Sequence, residues 1–209
     1  VYINNVEVYR PFLVRSGQQE GLSVINPYMV DKIGFSTGGY GAKYGDKMSS
    51  ALDITYKTLK AKGKKAVVEG SAAASLLGAD AYMGLGTQKL SWLNSVRYKS
   101  TAYLLGTMET KGEYKPNYLD YQTYLSYQPN KRWKLDFIGY ISDNHYNFEP
   151  SDRETTFGTM ENVKSFKVFF DGQEKDRFLT YFGTLGITRN ITDNTSISLL
   201  GSAFYTKEQ

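Results

Sequence analysis

From residue 66 onward, apolar and polar side chains alternate with a period of two, as they do in strands whose successive side chains point to opposite faces. Ala66, Val68, Gly70, Ala72, Ala74 and Leu76 share one face, with Glu69, Ser71 and Ser75 between them. The same alternation runs through residues 79–85, 119–128, 133–142, 179–188 and 196–205, where aliphatic and aromatic residues oppose Asp, Gln, Lys, Ser and Thr. Residues 90–98 are noisier, because Asn94 falls on the face of Trp92 and Val96. The pattern predicts seven strands, most of them about ten residues long, the length a tilted strand needs to cross a bilayer.

The connections between these strands differ in length. Residues 87–89 (TQK), 129–132 (PNKR) and 190–194 (NITDN) read as short polar turns, whereas 99–118 and 148–176 are long. Short turns at one end and long loops at the other are the pattern of outer-membrane barrels. Between PNKR and NITDN this leaves room for one ascending strand, one outer loop and one descending strand. Residues 163–170 (VKSFKVFF) are therefore expected to form a hairpin arm within the outer loop. Trp133 is expected at the short-turn rim and Tyr146 and Phe148 at or above the opposite one, where amphipathic rings suit a membrane interface.

Residues 1–56 read differently, as a small α/β or β-rich unit. Residues 2–8 alternate as a strand, 11–19 form a loop, and Asn26-Pro27 marks a turn. Strands over 30–35 and 51–56 flank a stretch holding Gly38, Gly39, Gly41 and Gly45, where glycine permits backbone angles that side chains forbid. That stretch lacks the spacing of a phosphate-binding P-loop, and no long helix pattern follows it.

Composition narrows the class. The chain has 18 Tyr, 20 Gly and 11 Phe but no Cys, with a mean hydropathy of −0.44. No apolar run approaches the roughly 18 residues of a spanning helix, while half-polar membrane strands keep mean hydropathy low. Net charge is +4, with one basic cluster, residues 57–65 (KTLKAKGKK). It reads as a solvated linker, or as a contact for anionic lipid headgroups at the lower rim; it lacks the interleaved aromatics of a nucleic-acid surface. His145 is the sole histidine, so no His/Cys metal site or thiol nucleophile can be assembled. The carboxylates of Asp143, Glu149, Asp152, Glu174 and Asp176 match no calcium loop, and no Gly-x-Ser-x-Gly elbow is present. Neither catalysis nor a cofactor is expected. No signal peptide precedes Val1, and both ends read as cuts within a longer protein.

Residues 33–54 (IGFSTGGYGAKYGDKMSSALDI), 89–100 (KLSWLNSVRYKS) and 111–122 (KGEYKPNYLDYQ) resemble TonB-dependent outer-membrane receptors of the non-SusC style common in Bacteroidetes. FGTMENV and FDGQEKDRFLT are similar to outer-loop wording of the same family. The resemblance implies a mainly β chain: residues 1–60 as the C-terminal part of an α/β plug domain, and 61–209 as roughly the first seven strands of a transmembrane antiparallel β-barrel of about 22 strands. It implies residence in the bacterial outer membrane, ligand capture at outer loops, and import driven by TonB, with outer-membrane lipids and a surface lipoprotein as further partners. It assigns Gly38, Gly39, Tyr40, Tyr44, Gly45 and Asp46 to a turn that shapes the plug and touches the barrel wall. Tyr114, Tyr118, Tyr146 and Phe148 are the candidate ligand-contact aromatics. A passive porin, a non-transporting barrel of an envelope complex and a soluble lipid-binding barrel are the alternatives.

Overall fold

The computed structural model of the chain describes residues 1–8, 23–38, 41, 43–45, 49–100, 112–114, 117–150, 153–159, 162–168 and 174–209. These residues are mainly β-strand, with one 3-10 turn at Pro27–Met29 and no α-helix among them. The strands are β1 (Tyr2–Ile3), β2 (Val6–Glu7), β3 (Val30–Ser36), β4 (Ala51–Tyr56), β5 (Val67–Ser75), β6 (Gly78–Gly86) and β7 (Leu90–Ser100). They continue with β8 (Gly112–Tyr114), β9 (Asn117–Tyr127), β10 (Trp133–Pro150), β11 (Arg153–Thr159), β12 (Asn162–Val168), β13 (Glu174–Thr192) and β14 (Thr195–Glu208).

The N-terminal unit is a four-stranded sheet in the order β2-β1-β4-β3, with β1 parallel to β4 and the other pairs antiparallel. The single strand expected over residues 2–8 is instead a hairpin. Asn4 and Asn5 both adopt positive φ, 47° and 68°, the left-handed pair that a tight two-residue hairpin turn demands and that Asn tolerates better than most residues. Strands β3 and β4 lie where the sequence places them. Asn26 caps the 3-10 turn, its side chain accepting from Tyr28 N at 3.0 Å.

The large sheet runs β14-β13-β10-β9-β7-β6-β5, every neighbouring pair antiparallel, with β8 added to the far end of β10. It contains all seven strands read from the alternation, and it is open, with β5 and β14 as its edges. Strands β10 and β13 are much longer than expected, pairing from Trp133↔Arg189 to Phe148↔Glu174. Strands β11 and β12 form a separate two-stranded ribbon beyond them, so residues 163–168 stay out of the large sheet.

The turns at one end are built from local side-chain caps. Asn130 accepts from Arg132 N and Trp133 N at 2.9 and 3.0 Å, and Thr87 from Leu90 N at 2.9 Å. The opposite end is not uniformly long-looped, because β5 and β6 join there through Leu76 and Leu77 alone. Gly78 makes that turn possible at φ 145°; a Cβ there would lie 2.0 Å from the Tyr98 carbonyl oxygen.

The two faces of the large sheet carry different chemistry. The outer face presents Trp92, Val96, Leu119, Tyr121, Phe137, Ile141 and Leu185 to the surroundings, with Phe137 41% and Leu185 52% exposed. Its middle row, Asn94, Thr123, Gly139, Gly183 and Ala203, is small or polar. Two oxygens in that row find aromatic partners: Trp92 Nε1 donates to Thr123 Oγ1 at 3.0 Å and Tyr121 OH to Asn94 Oδ1 at 2.8 Å. The inner face buries Ser91, Ser95, Arg97, Asp120, Gln122, Ser126 and Thr180 beneath the N-terminal unit and its continuation.

That inner face is not purely polar. Leu93, Tyr124, Ile138, Tyr140 and Phe182 form an apolar island on it and pack in one cluster with Ile3, Val24, Met29, Ile54 and Tyr56. The hydrophobic core of the molecule therefore lies between the two sheets.

Candidate functional site

The contact between the N-terminal unit and the inner face brings together the densest group of buried polar side chains described. It starts at Arg97, near the middle of β7, and Asp120, directly opposite on β9. Arg97 Nε donates to Asp120 Oδ1 at 3.0 Å, and its Nη2 pairs with Asp120 Oδ2. Asp120 is 1% exposed. A buried carboxylate is tolerable only when its lone pairs are filled, and here Tyr118 OH at 2.6 Å and Gln122 Nε2 at 3.2 Å donate to Oδ2 as well. Tyr118 OH in turn meets Tyr140 OH at 3.1 Å.

The rest of the guanidinium reaches across to the other sheet's chain. Arg97 Nη1 donates to the Ile25 carbonyl oxygen at 2.9 Å and Nη2 to that of Ser23 at 3.0 Å. Gln122 Nε2 donates to the carbonyl of Val24, and Asn26 Nδ2 to Ser95 Oγ. One irregular segment, residues 23–26, is thus gripped residue by residue from three adjacent positions on β7 and β9. An arginine suits this role because its planar fork serves a carboxylate and carbonyls at once.

Aromatic and linker contacts extend the grip. Tyr28 stacks on Tyr82 with ring centres 6.1 Å apart, and Tyr56 meets Tyr124 edge-on at 5.7 Å. Burial pushes the Tyr56 hydroxyl above its ordinary pKa. Past β4, Leu59 N donates to Ser91 Oγ at 2.9 Å, and Leu59 sits so close to Gly86 that a Cβ there would meet its backbone at 2.7 Å.

The turn residues assigned by the family resemblance are described only in part. Gly39, Tyr40 and Asp46 fall outside the described residues. Gly38 has φ 99°, as a tight turn requires, and Gly45 is exposed. Tyr44 is held inside the N-terminal unit: its hydroxyl donates to Asp53 Oδ2 at 2.6 Å, as does Lys43 Nζ, and its ring meets Tyr2 at 5.2 Å. Partial burial pushes the Asp53 carboxyl up, but the hydrogen bonds from Lys43 and Tyr44 and the Lys43 charge outweigh it, so the group lies below the ordinary carboxylate range.

Among the described residues, contact with the large sheet is made by residues 23–29, Tyr56 and Leu59, which sequence reasoning missed. The available signal was the pair of opposite charges, Arg97 and Asp120, each at a mid-strand position on the polar face.

The four ligand-contact candidates separate. Tyr118 belongs to β9 and not to a loop; it is 2% exposed, and its hydroxyl is occupied by the Arg97 network. Strand pairing continues two residues further than expected, which draws it below the surface. Tyr114 and Phe148 stand directly opposite one another in the β8–β10 pair, and Tyr146 stands opposite Asp176 in β13; the side chains of Tyr114, Tyr146 and Phe148 lie outside the described part.

At the same level, Asp143 on the outer face is paired with Arg177 at 2.7 Å and with His145 at 3.2 Å. Among the described residues, no three His, Cys, Asp or Glu side chains converge as a metal site would need.

Compared with known proteins, the chain matches no family model, no curated protein and no solved structure.

Proposed function

We propose that this chain is part of a TonB-dependent outer-membrane receptor, a transmembrane β-barrel of about 22 strands that binds a ligand at its extracellular loops and imports it past a plug. In this reading the large sheet is a sector of the barrel wall, its outer face meets lipid, and residues 1–60 are plug. The observation that carries it is the polarity of the sheet: an apolar outer face over an inner face whose buried groups are largely polar and hold a folded unit. A water-soluble sheet of this size would reverse that order.

Dimensions support the same reading. The outer face is free of charged side chains between the row of Trp133 and Arg189 and the row of Asp143. From Trp133 to Asp143, at about 3.4 Å per residue and a tilt of roughly 35–45°, the strand rises about 24–28 Å, close to the apolar band of an outer-membrane barrel. Within that band Thr123 Oγ1 and Asn94 Oδ1 are bonded by Trp92 and Tyr121, which lowers the cost of polar atoms in a medium without water, while Asn94 Nδ2 has no partner among the described residues.

Import would require residues 23–26 to leave Arg97 and Gln122, with TonB supplying the work. The test is a cysteine at Asn26, which is buried in the docked state, in the full-length protein expressed in cells. Labelling by a water-soluble maleimide is expected only when TonB and the proton gradient are both present. Equal labelling in cells lacking TonB sinks the energised mechanism. A large ligand-free conductance of the purified protein in planar bilayers would favour a passive porin, and absence from the outer-membrane fraction would remove the class.

A further inference from the structure

The short-turn end of the large sheet gathers basic side chains that neither the docking network nor the apolar belt uses. Residues 57–65 run beneath it: Ala61 N donates to the Thr87 carbonyl at 3.2 Å, Gln88 Nε2 to that of Gly63 at 3.1 Å, and Lys60 Nζ to Gln128 Oε1 at 3.3 Å. These bonds set Lys60, Lys62, Lys64 and Lys65 beside Lys89, whereas Lys57 pairs with Glu69 at 3.9 Å and lies over the Tyr82 ring. The rim continues through the next turn, where Asn190 N donates to the Arg132 carbonyl at 2.8 Å, placing Arg132 next to Arg189.

Lys62, Lys64, Lys65, Lys89, Arg132 and Arg189 are all exposed and have no ion-pair partner among the described residues. The sole acidic residue in the segments that form this rim is Asp193. At the opposite end, acidic and basic residues are mixed.

An apolar groove opens on the outer face directly above this rim. It has a volume of about 420 Å³ and is lined by Trp133, Ile187, Arg189, Ile191, Ile197 and Leu199. The Arg189 guanidinium lies 5.1 Å from the centre of the Trp133 ring, a cation–π contact that holds the charge at the level where a tryptophan marks a membrane interface. A cation in the wall of a greasy slot is complementary to one kind of partner, an amphiphile with an anionic head and a hydrocarbon tail.

We infer that this end of the sheet is a seat for an anionic phospholipid of the adjoining leaflet, with its phosphate against Arg189 and Arg132, one acyl chain in the groove, and Lys62, Lys64 and Lys65 facing neighbouring headgroups. The inference rests on the reading that the outer face meets lipid. A nucleic acid fits less well, since Trp133, the ring beside these charges, is engaged by Arg189 and lines the apolar groove. An acidic protein would leave the groove empty.

The test uses purified full-length protein. It is first reconstituted into phosphatidylcholine vesicles, and insertion is read by protease protection. Lipid retention is then read by native mass spectrometry from detergent containing equal phosphatidylglycerol and phosphatidylcholine of the same chains. Phosphatidylglycerol is expected to be retained roughly thirty-fold over phosphatidylcholine, the order expected from two basic groups near an anionic headgroup. The preference is expected to fall to parity in the Arg132→Gln/Arg189→Gln double variant and to weaken in Lys62→Gln/Lys64→Gln/Lys65→Gln. Equal retention of the two lipids by the unaltered protein, or a preference that survives the arginine substitutions, overturns the seat and leaves the membrane reading standing. Failure to insert into the phosphatidylcholine vesicles removes both.

Discussion

The same seven strands present two surfaces that hold their polar atoms in opposite ways. On the outer face, polar side chains are few and each described partner is a neighbour on the next strand, as when Tyr121 serves Asn94. On the inner face, polar side chains are many, and their partners come from a separate part of the chain, as when Arg97 holds Ser23 and Ile25. The outer face thus draws its polar partners from within the sheet, whereas the inner face draws many of its own from the N-terminal unit. A sheet can be indifferent to its surroundings on one side and specific on the other because its side-chain period is two.

The contrast is sharpest at Asp120. Replacing it by Asn leaves the Arg97 charge buried without its carboxylate, and we expect the full-length protein in vesicles to lose about 3–5 kcal/mol of stability in urea unfolding. The Arg97→Met/Asp120→Leu pair should recover much of that loss, since an apolar pair of similar volume carries no stranded charge. A single-variant loss below about 1 kcal/mol would show that water reaches the pair. Next in size is Leu93, fully buried in the apolar island: Leu93→Ala should cost about 2–5 kcal/mol in the same assay.

Outer-face substitutions discriminate lipid from water. Leu185→Arg in reconstituted protein should cost about 2–4 kcal/mol if the residue lies near the bilayer midplane. A change within about 0.5 kcal/mol, typical of a water-exposed position, would break the distinction between the faces.

The smallest effect expected is at Asp53. Because Lys43 and Tyr44 hold its folded-state pKa below the ordinary value of about 3.9, its contribution is present above that value and is lost as pH falls through the lowered one. Comparing wild type with Asp53→Asn by thermal unfolding between neutral and strongly acidic pH should show a gap of no more than about 1 kcal/mol that closes on the acid side. A gap that widens on acidification would reverse the sign and discount the ion pair.

The strands were legible because alternation survives in a single sequence: β9 and β14 can be traced from every second residue. Two things were not. The inner face was read as polar because Ser142, Thr180 and Thr184 dominate the eye, while Ile138, Tyr140 and Phe182 occupy the same face and carry the docking core. Periodicity says which residues share a side but not which of them a distant segment will cover. The clasp on residues 23–26 was equally hidden, because half of it is main chain, and carbonyl oxygens leave no mark in the letters of a sequence. The Asn4-Asn5 hairpin was hidden for a different reason: two-residue strands are too short for a period to register.

The preference of Arg97 and Gln122 for carbonyl oxygens over side chains has an evolutionary corollary. Every residue type offers the same carbonyl, so Ser23 and Ile25 are free to drift without loosening the attachment. Heritable change in its strength must come from the strand side, where a single codon at position 97 or 122 removes several bonds at once, or from Asn26 and Tyr28, whose side chains reach Ser95 and Tyr82.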